Sequence, residues 1–276
     1  MQKNLKRRHF LAINLVAACA ILAMPTAVFS QSLDTSYGAW DVLLKKHVKW
    51  LPDNKQSRVN YKGFATDRAE LKKVLDSFSA VTAAQFAALP KNEQMVFLIN
   101  AYNAFTIEHI LSKYPDLKSI KDLGSVVQSA WKKKFFSLLG EEHNLDWIEH
   151  EQLRPKYQDP RIHVALVCAA ISCPALRPDA YTTAKLEGQL DDGMQRFLSD
   201  KTRNKYEGGK LQVSSIFKWF KEDFEKGHKG FNKVEDVFAK YAEALSTDAT
   251  AIAEIRAKTA SISHLDYNWA LNDAGR

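Results

Sequence analysis

The sequence has few of the residues from which a metal centre is recognised. Only three cysteines occur among 276 residues, and only Cys168 and Cys173 lie outside the N-terminal segment. Their spacing, with four residues between them, is at the outer limit for zinc sites, and two further ligands are not evident beside His163 or His150. We therefore expect no metal site and no cofactor.

The chain also lacks an internal repeat, a low-complexity tract and any motif of uniquely readable chemistry. Its 39 basic and 32 acidic residues give a formal net charge of +7. Four of the basic residues and none of the acidic ones lie in residues 1–30, so the rest of the chain carries only +3. So small an excess is weak evidence for nucleic-acid binding, and no nucleic-acid partner is expected.

Residues 1–30 have the three parts of a secretory signal. Basic residues in positions 3–8 precede an apolar run over residues 10–24, and residues 28–30 have acceptable side chains at the usual spacing for cleavage before Gln31. Pro25 interrupts the apolar run at about 15 residues, short of the roughly 20 that a spanning helix needs. We predict a signal peptide over residues 1–30 and one globular domain over residues 31–276, periplasmic or secreted, with no integral membrane segment after signal removal.

The export route has three alternatives. Arg7 and Arg8 resemble the core of a twin-arginine signal, although Lys6 replaces the usual Ser or Thr. Cys19 follows a sequence similar to a lipoprotein box, but the next residues stay apolar where a lipoprotein turns polar. The general secretory route is the third.

Helices outnumber strands in the hydrophobic pattern and do not alternate with them cleanly. Residues 91–114 predict a helix buried on all sides, because apolar residues occupy nearly every face between Pro90 and Pro115. Residues 162–170 are almost wholly apolar and rich in β-branched side chains, which predicts a buried central strand. The expected fold is α+β, a single helix-rich domain with a small central mixed sheet.

Two amides share one face of the predicted buried helix. Asn100 and Asn103 lie three residues apart, and an unpaired buried polar group costs about 1–3 kcal/mol, so each amide needs a partner. Either they bond to a neighbouring loop and hold its geometry, or they take a direct part in a site. With His150 and Arg177 they are the candidate binding residues.

Cys168, Cys173, His163 and Glu149 are the candidate catalytic residues. Strand alternation places His163 and Cys168 on opposite faces, so His163 would more readily meet Cys173, in the following loop. The two cysteines also fit a disulfide or two inert thiols. Glu149 lies in an apolar helix stripe, which suits a carboxyl with a raised pKa, a group that orients an imidazole, or a buried partner of an arginine.

Residues 131–136 mix basic and aromatic side chains. Such a segment is able to contact nucleic acid or an anionic surface. An edge strand protected by lysines explains the pattern without any partner, and we prefer that interpretation for a predicted strand over residues 130–139.

Several segments together carry a family resemblance. They are residues 97–103, residues 145–150 with Leu153 and Arg154, residues 159–168, residues 172–176, Tyr181, residues 216–220 with Asp223 and Phe224, and residues 267–272. In combination they resemble the family called domain of unknown function 547, as a bacterial exported member. The family name records no activity, so the resemblance implies a relative but no reaction.

The leading functional hypothesis is a thiol-dependent hydrolase or acyl transferase. Cys168 or Cys173 would be the nucleophile, His163 the general base, and Glu149 or an asparagine the orienting group. The alternative is a non-catalytic periplasmic binding or assembly module, in which the cysteines form a disulfide and the asparagines are structural. The sequence indicates neither substrate, partner nor oligomeric state.

Overall fold

Helices form most of the architecture. The structure, a computed structural model, describes residues 34–275, and the predicted signal in residues 1–30 lies outside this range. The α-helices are α1 (Gly38–His47), α2 (Tyr61–Thr66), α3 (Arg68–Ser79), α4 (Ala83–Ala88), α5 (Lys91–Leu111), α6 (Arg154–Lys156), α7 (Leu186–Ser199), α8 (Ile216–Trp219), α9 (Val234–Lys240), α10 (Ala242–Leu245) and α11 (Ala249–Arg256). A π-helix over Trp147–Leu153 runs directly into α6.

The strands are short and form three small sheets within the described range. They are β1 (Val48–Trp50), β2 (Ser57–Val59), β3 (Phe136–Leu138), β4 (Glu141–His143), β5 (Lys205–Glu207), β6 (Lys210–Ser214) and β7 (Ser261–Leu265). The pairs β1–β2 and β3–β4 are antiparallel, whereas β6 pairs antiparallel with β5 and parallel with β7. The fold is therefore helix-rich α+β with a small mixed sheet, as the sequence predicted.

The central element is α5, the helix that the sequence predicted to be buried on all sides. It begins directly after Pro90 and its side chains from Met95 to Ile107 are all buried. Its apolar residues therefore contact the protein interior on every face, as expected for a helix without a polar side. No helix in residues 34–275 is both long enough and apolar enough to span a bilayer.

Two hydrophobic clusters form the interior. The first surrounds α5 and includes side chains of α1 and α3, and the second lies among β6 and the helices α7 to α11. The chain around residue 164 passes between them, since Val164 packs in the second cluster and Ala165 in the first. Tyr267 packs against both clusters and marks their junction.

The prediction of a central strand over residues 162–170 is wrong. A 3-10 turn occupies Pro160–Val164, with Asp159 accepting a hydrogen bond from the backbone N–H of Arg161 at 3.0 Å. The residues after it are irregular but buried. Their backbone is satisfied by a side chain: Asn103 donates to the carbonyl of Ala165 at 2.9 Å and accepts from Val167 N–H at 3.0 Å.

The predicted strand over residues 130–139 is only partly present. Ala130–Lys132 is a 3-10 turn, and the strand β3 begins at Phe136. The three lysines of this segment, Lys132, Lys133 and Lys134, therefore precede the strand and do not protect its edge. Protection of a strand edge therefore does not explain why these three lysines are exposed.

Candidate functional site

The two cysteines form one wall of a pocket. The sulfur atoms of Cys168 and Cys173 lie at disulfide-bonding distance, with their Cα atoms 6.0 Å apart. The Cys168 N–H also donates to the Cys173 Sγ at 2.9 Å, and the Tyr267 hydroxyl lies 3.2 Å from each sulfur. The segment from His163 to Cys168 does not form a strand. The prediction that these two side chains lie on opposite faces therefore does not apply.

The C-terminal segment of the chain forms backbone hydrogen bonds with the loop between Cys168 and Cys173 and holds this loop in place. The N–H groups of Ile171 and Ser172 donate to the carbonyls of Ala270 and Asn268 at 2.8 and 3.1 Å. Since Tyr267 and Trp269 belong to this paired segment, both rings are brought to the loop and become part of the pocket.

The pocket has a volume of about 200 Å³ and lies at the junction of the two clusters. Aromatic rings make up much of its wall. Its lining consists of Tyr102, Trp131, Asp146, Glu149, His150, Leu166, Cys168, Cys173, Pro174, Ile216, Trp219, Phe220, Tyr267 and Trp269. The rings of Trp219, Tyr267 and Trp269 contact one another, with centroids 4.5 to 5.8 Å apart.

Glu149 is the buried acid of this pocket. Burial, followed by the charge of Asp146, raises its pKa to about 7 from an ordinary value of 4.5, against the opposing effect of Arg154. The Tyr102 hydroxyl donates to its Oε2 at 3.4 Å, a long and weak bond that relieves little of the cost. A raised pKa is one of the three roles that the sequence left open for Glu149, and a carboxyl with such a pKa is able to exchange a proton near neutral pH.

His163 lies behind Glu149 and is held by Asp223. Its Nε2 is 2.8 Å from Asp223 Oδ2, and its Nδ1 is 3.7 Å from Glu149 Oε1, beyond hydrogen-bond range. Burial lowers the pKa of His163, so the ring is neutral. Because an ionised Asp223 only accepts, the ring proton lies on Nε2 and the lone pair on Nδ1 points towards Glu149.

The charge on Asp223 is stabilised by three donors. Burial alone would raise its pKa, but hydrogen bonds from His163, Arg154 and Lys226 outweigh it and hold the pKa far below its usual range. The Arg154 Nε lies 2.5 Å from Asp223 Oδ2, and its Nη1 lies 3.0 Å from the His150 Nδ1. Arg154 therefore connects Asp223 to His150, which is exposed at the pocket wall.

The other predicted binding residues lie outside the pocket lining. Asn100 holds the backbone of Tyr181 on both sides, donating to its carbonyl at 2.9 Å and accepting from its N–H at 3.1 Å. Asn103 holds residues 165–167 in the same way. Arg177 pairs with Asp192 and Asp179. The amides therefore fix loop geometry, the first of the two roles considered for them.

Glu149, His150, Cys168 and Cys173 thus line one pocket, with His163 directly behind. Within residues 34–275, no hydrogen bond joins His163 to either sulfur, and no group of three His, Cys, Asp or Glu side chains is arranged to hold a metal ion. Sequence reasoning missed the partner of His163 and most of the wall. These residues are Asp223, Tyr102, Asp146, Trp219, Phe220, Tyr267 and Trp269. A usable signal was the density of aromatic side chains in residues 216–220 and 267–269.

Glu149→Gln is expected to change how stability depends on pH. The folded protein holds the Glu149 proton more tightly than the unfolded chain, so stability falls as pH rises from about 4.5 to about 7. Relative to the glutamine variant, the wild type should lose roughly 3 kcal/mol of unfolding free energy across this window. Urea unfolding at pH 4, 6 and 8 measures the difference.

Glu151→Gln is the matched control, because Glu151 is exposed on the same π-helix. Its free energy of unfolding should depend on pH in the same way as that of the wild type. A wild type and a Glu149→Gln variant that differ by the same free energy at pH 4 and pH 8 would contradict a raised pKa.

The site defines the class of protein as a helix-rich α+β domain with a small aromatic pocket beside a cysteine pair. Residues 86–198 match the family described as "Protein of unknown function, DUF547", which confirms the resemblance over that segment. The match includes the two asparagines, Glu149, His163 and both cysteines, but the motifs in residues 216–224 and 267–272 lie beyond it. No curated protein and no solved structure matches the chain.

Proposed function

We propose that this protein is a binding module for a small organic cation, an amine or a quaternary ammonium. The observation that carries the proposal is the pocket wall, in which six aromatic side chains and two carboxyl groups line the same cavity. A cation is attracted to the faces of aromatic rings, most strongly to the indole of tryptophan. Trp131, Trp219 and Trp269 all contribute to this wall.

The charge of the lining favours a cation over an anion. Asp146 and Glu149 are its carboxyl groups. Lys121 and Arg154 lie over the rings of Trp269 and Phe220, at 3.9 and 5.2 Å, but in the described range neither they nor any other lysine or arginine is part of the lining. Burial lowers the pKa of His150, so its imidazole adds little positive charge at neutral pH. A bound cation would stabilise the ionised form of Glu149 and so lower its pKa.

The size of the pocket limits the ligand. Its volume of about 200 Å³ is below the range of about 300–1,000 Å³ that is usual for drug-sized ligands. A trimethylammonium or short alkylamine group suits such a space. The proposed ligand is therefore a small molecule or the charged end of a larger one.

The thiol-dependent hydrolase receives less support from the same geometry. Sulfur atoms at bonding distance leave no thiolate to act as nucleophile. The Nε2 of His163 is occupied by Asp223, and its Nδ1 faces Glu149. A structural disulfide agrees with the binding module and with the predicted export to an oxidising compartment.

Calorimetric titration with choline and with its uncharged carbon isostere tests the proposal. Choline is expected to bind and the isostere to bind far more weakly, because only the cation interacts with the ring faces and with Glu149. Affinity for choline should rise about tenfold between pH 6 and pH 8 as Glu149 ionises. Glu149→Gln should remove this pH dependence.

Trp219→Ala should weaken choline binding by about tenfold. Trp50→Ala is the matched control, because Trp50 is also partly exposed but stacks on the guanidinium of Arg196 outside the pocket. Iodoacetamide treatment of the native protein should leave binding unchanged. Equal affinity for choline and its isostere would contradict the cation proposal. Loss of choline binding after alkylation would show a free cysteine thiol at the pocket and would favour the thiol enzyme.

A further inference from the structure

An apolar tip projects from the surface between the 3-10 turns at Ile120–Leu123 and Ala130–Lys132. Val126 and Val127 are 105% and 94% exposed, the largest exposures among the exposed large hydrophobic residues of the described chain. The binding pocket does not use them, since neither lines it. Two adjacent valines in full contact with water contribute no hydrophobic stabilisation to the fold, and burying them against another surface would be favourable.

The tip is held in a defined shape. The Ser125 N–H donates to the carbonyl of Gln128 at 2.8 Å, and the Gln128 N–H donates back to the Ser125 hydroxyl at 3.1 Å. At its base, a Cβ on Gly124 would lie 2.9 Å from the Gln128 carbonyl oxygen, so the two ends of the loop pack closely. The valines are therefore presented by a closed turn.

The sequence on both sides of this tip is rich in lysine. Residues 113–134 contain six lysines and two aspartates. The Gln128 side chain donates to the carbonyl of Lys132 at 3.2 Å, which ties the tip to the exposed run of Lys132, Lys133 and Lys134. Within residues 34–275 none of these three lysines forms a salt bridge, although Lys72 and Lys73 on α3 do. The charge of Lys132 also acts on the carboxyl group of Asp146, whereas Lys133 and Lys134 have no described acidic partner.

We propose that the valine tip and its lysines dock the protein on an anionic lipid bilayer. Two valines on a narrow turn are too few for a stable protein interface, which buries about 800 Å² on each partner. They suit the boundary between headgroups and acyl chains, where a small apolar side chain enters while lysines contact the anionic headgroups. An acidic protein is the alternative partner for this surface, and comparing binding to vesicles with binding to polyglutamate distinguishes the two.

Sedimentation of the protein with lipid vesicles tests the docking. Binding is expected to vesicles that contain phosphatidylglycerol, to be weak with phosphatidylcholine alone, and to fall as salt screens the lysines. Val126→Asp combined with Val127→Asp should abolish binding, because carboxylates oppose both the insertion and the anionic surface. Val42→Asp is the matched control, since Val42 is 63% exposed on α1 and should bind like the wild type.

The lysine contribution has its own pair of variants. Lys133→Gln should weaken binding to anionic vesicles by about fivefold. Lys62→Gln, at an exposed lysine of α2, should have little effect. Circular dichroism melting verifies that each variant folds, and Trp219→Ala should bind vesicles normally, which separates this docking from the pocket.

Three results would overturn the proposal. One is a failure of the wild type to bind phosphatidylglycerol vesicles at low salt. Another is binding that survives the paired aspartates at Val126 and Val127, which would place the contact elsewhere. The third is binding to polyglutamate but not to vesicles, which would assign the surface to an acidic protein.

Discussion

Asn103→Leu is expected to lower the free energy of unfolding by roughly 2–6 kcal/mol, because two buried backbone groups lose their only described partner. Asn103 donates to the carbonyl of Ala165 and accepts from the N–H of Val167, and both contacts lie in the interior. Leucine fills a similar volume but pairs with neither group. Urea unfolding of the two proteins at the same pH measures the change.

Asn92→Leu is the matched control. Asn92 is exposed in the first turn of α5, the same helix, and surface substitutions there change stability by about 0.5 kcal/mol or less. If both variants unfold at the wild-type urea concentration, the side chain of Asn103 does not support the segment that leads to Cys168.

Asp223→Asn is expected to cost roughly 3–5 kcal/mol, the usual effect of removing one partner from a buried charge pair. The carboxylate receives Arg154 at 2.5 Å and His163 at 2.8 Å, while Lys226 donates to its other oxygen at 3.1 Å. Asparagine keeps the shape but not the charge. Thermal unfolding at pH 7 is the first measurement.

The acid limb of the stability curve supplies a second readout for Asp223. Its folded pKa is depressed, so its contribution is present above the ordinary value of 3.8 and is lost as pH falls below it. The asparagine variant should therefore approach the wild type at low pH. Glu222→Gln, at an exposed carboxylate of the same turn, should leave the whole curve unchanged, and a parallel offset for Asp223→Asn at every pH would argue against a charged Asp223.

The arrangement of Asp223 and His163 resembles the carboxylate–imidazole pair of a catalytic triad. In a triad, the second ring nitrogen faces the nucleophile. Here the Nδ1 of His163 faces Glu149 instead, at 3.7 Å. The imidazole therefore lies beside the pocket acid and not beside a nucleophile, which favours the proposed binding pocket over a thiol enzyme.

The positions of apolar residues in the sequence were sufficient to predict the long buried helix. The all-round apolar character of residues 91–114 predicts the buried helix α5 that the structure has, because the pattern reflects which sides of a helix contact the interior. The same reasoning failed for residues 162–170. Apolar composition reports burial, and it does not distinguish a strand from an irregular segment whose backbone is satisfied by Asn103.

The amino-acid sequence was enough to predict the helix-rich α+β class and the buried helix, since both depend on apolar residues that are close together in the chain. Glu149 was a candidate in the sequence, but its raised pKa depends first on burial and also on Tyr102 and Asp223, which are distant in the chain. Tertiary structure alone decided the partner of His163 and the aromatic wall. Asp223 lies 60 residues beyond His163, and Tyr267 lies 99 residues beyond Cys168. Contacts at such separations depend on how the two hydrophobic clusters pack, and no local pattern of side chains records that packing.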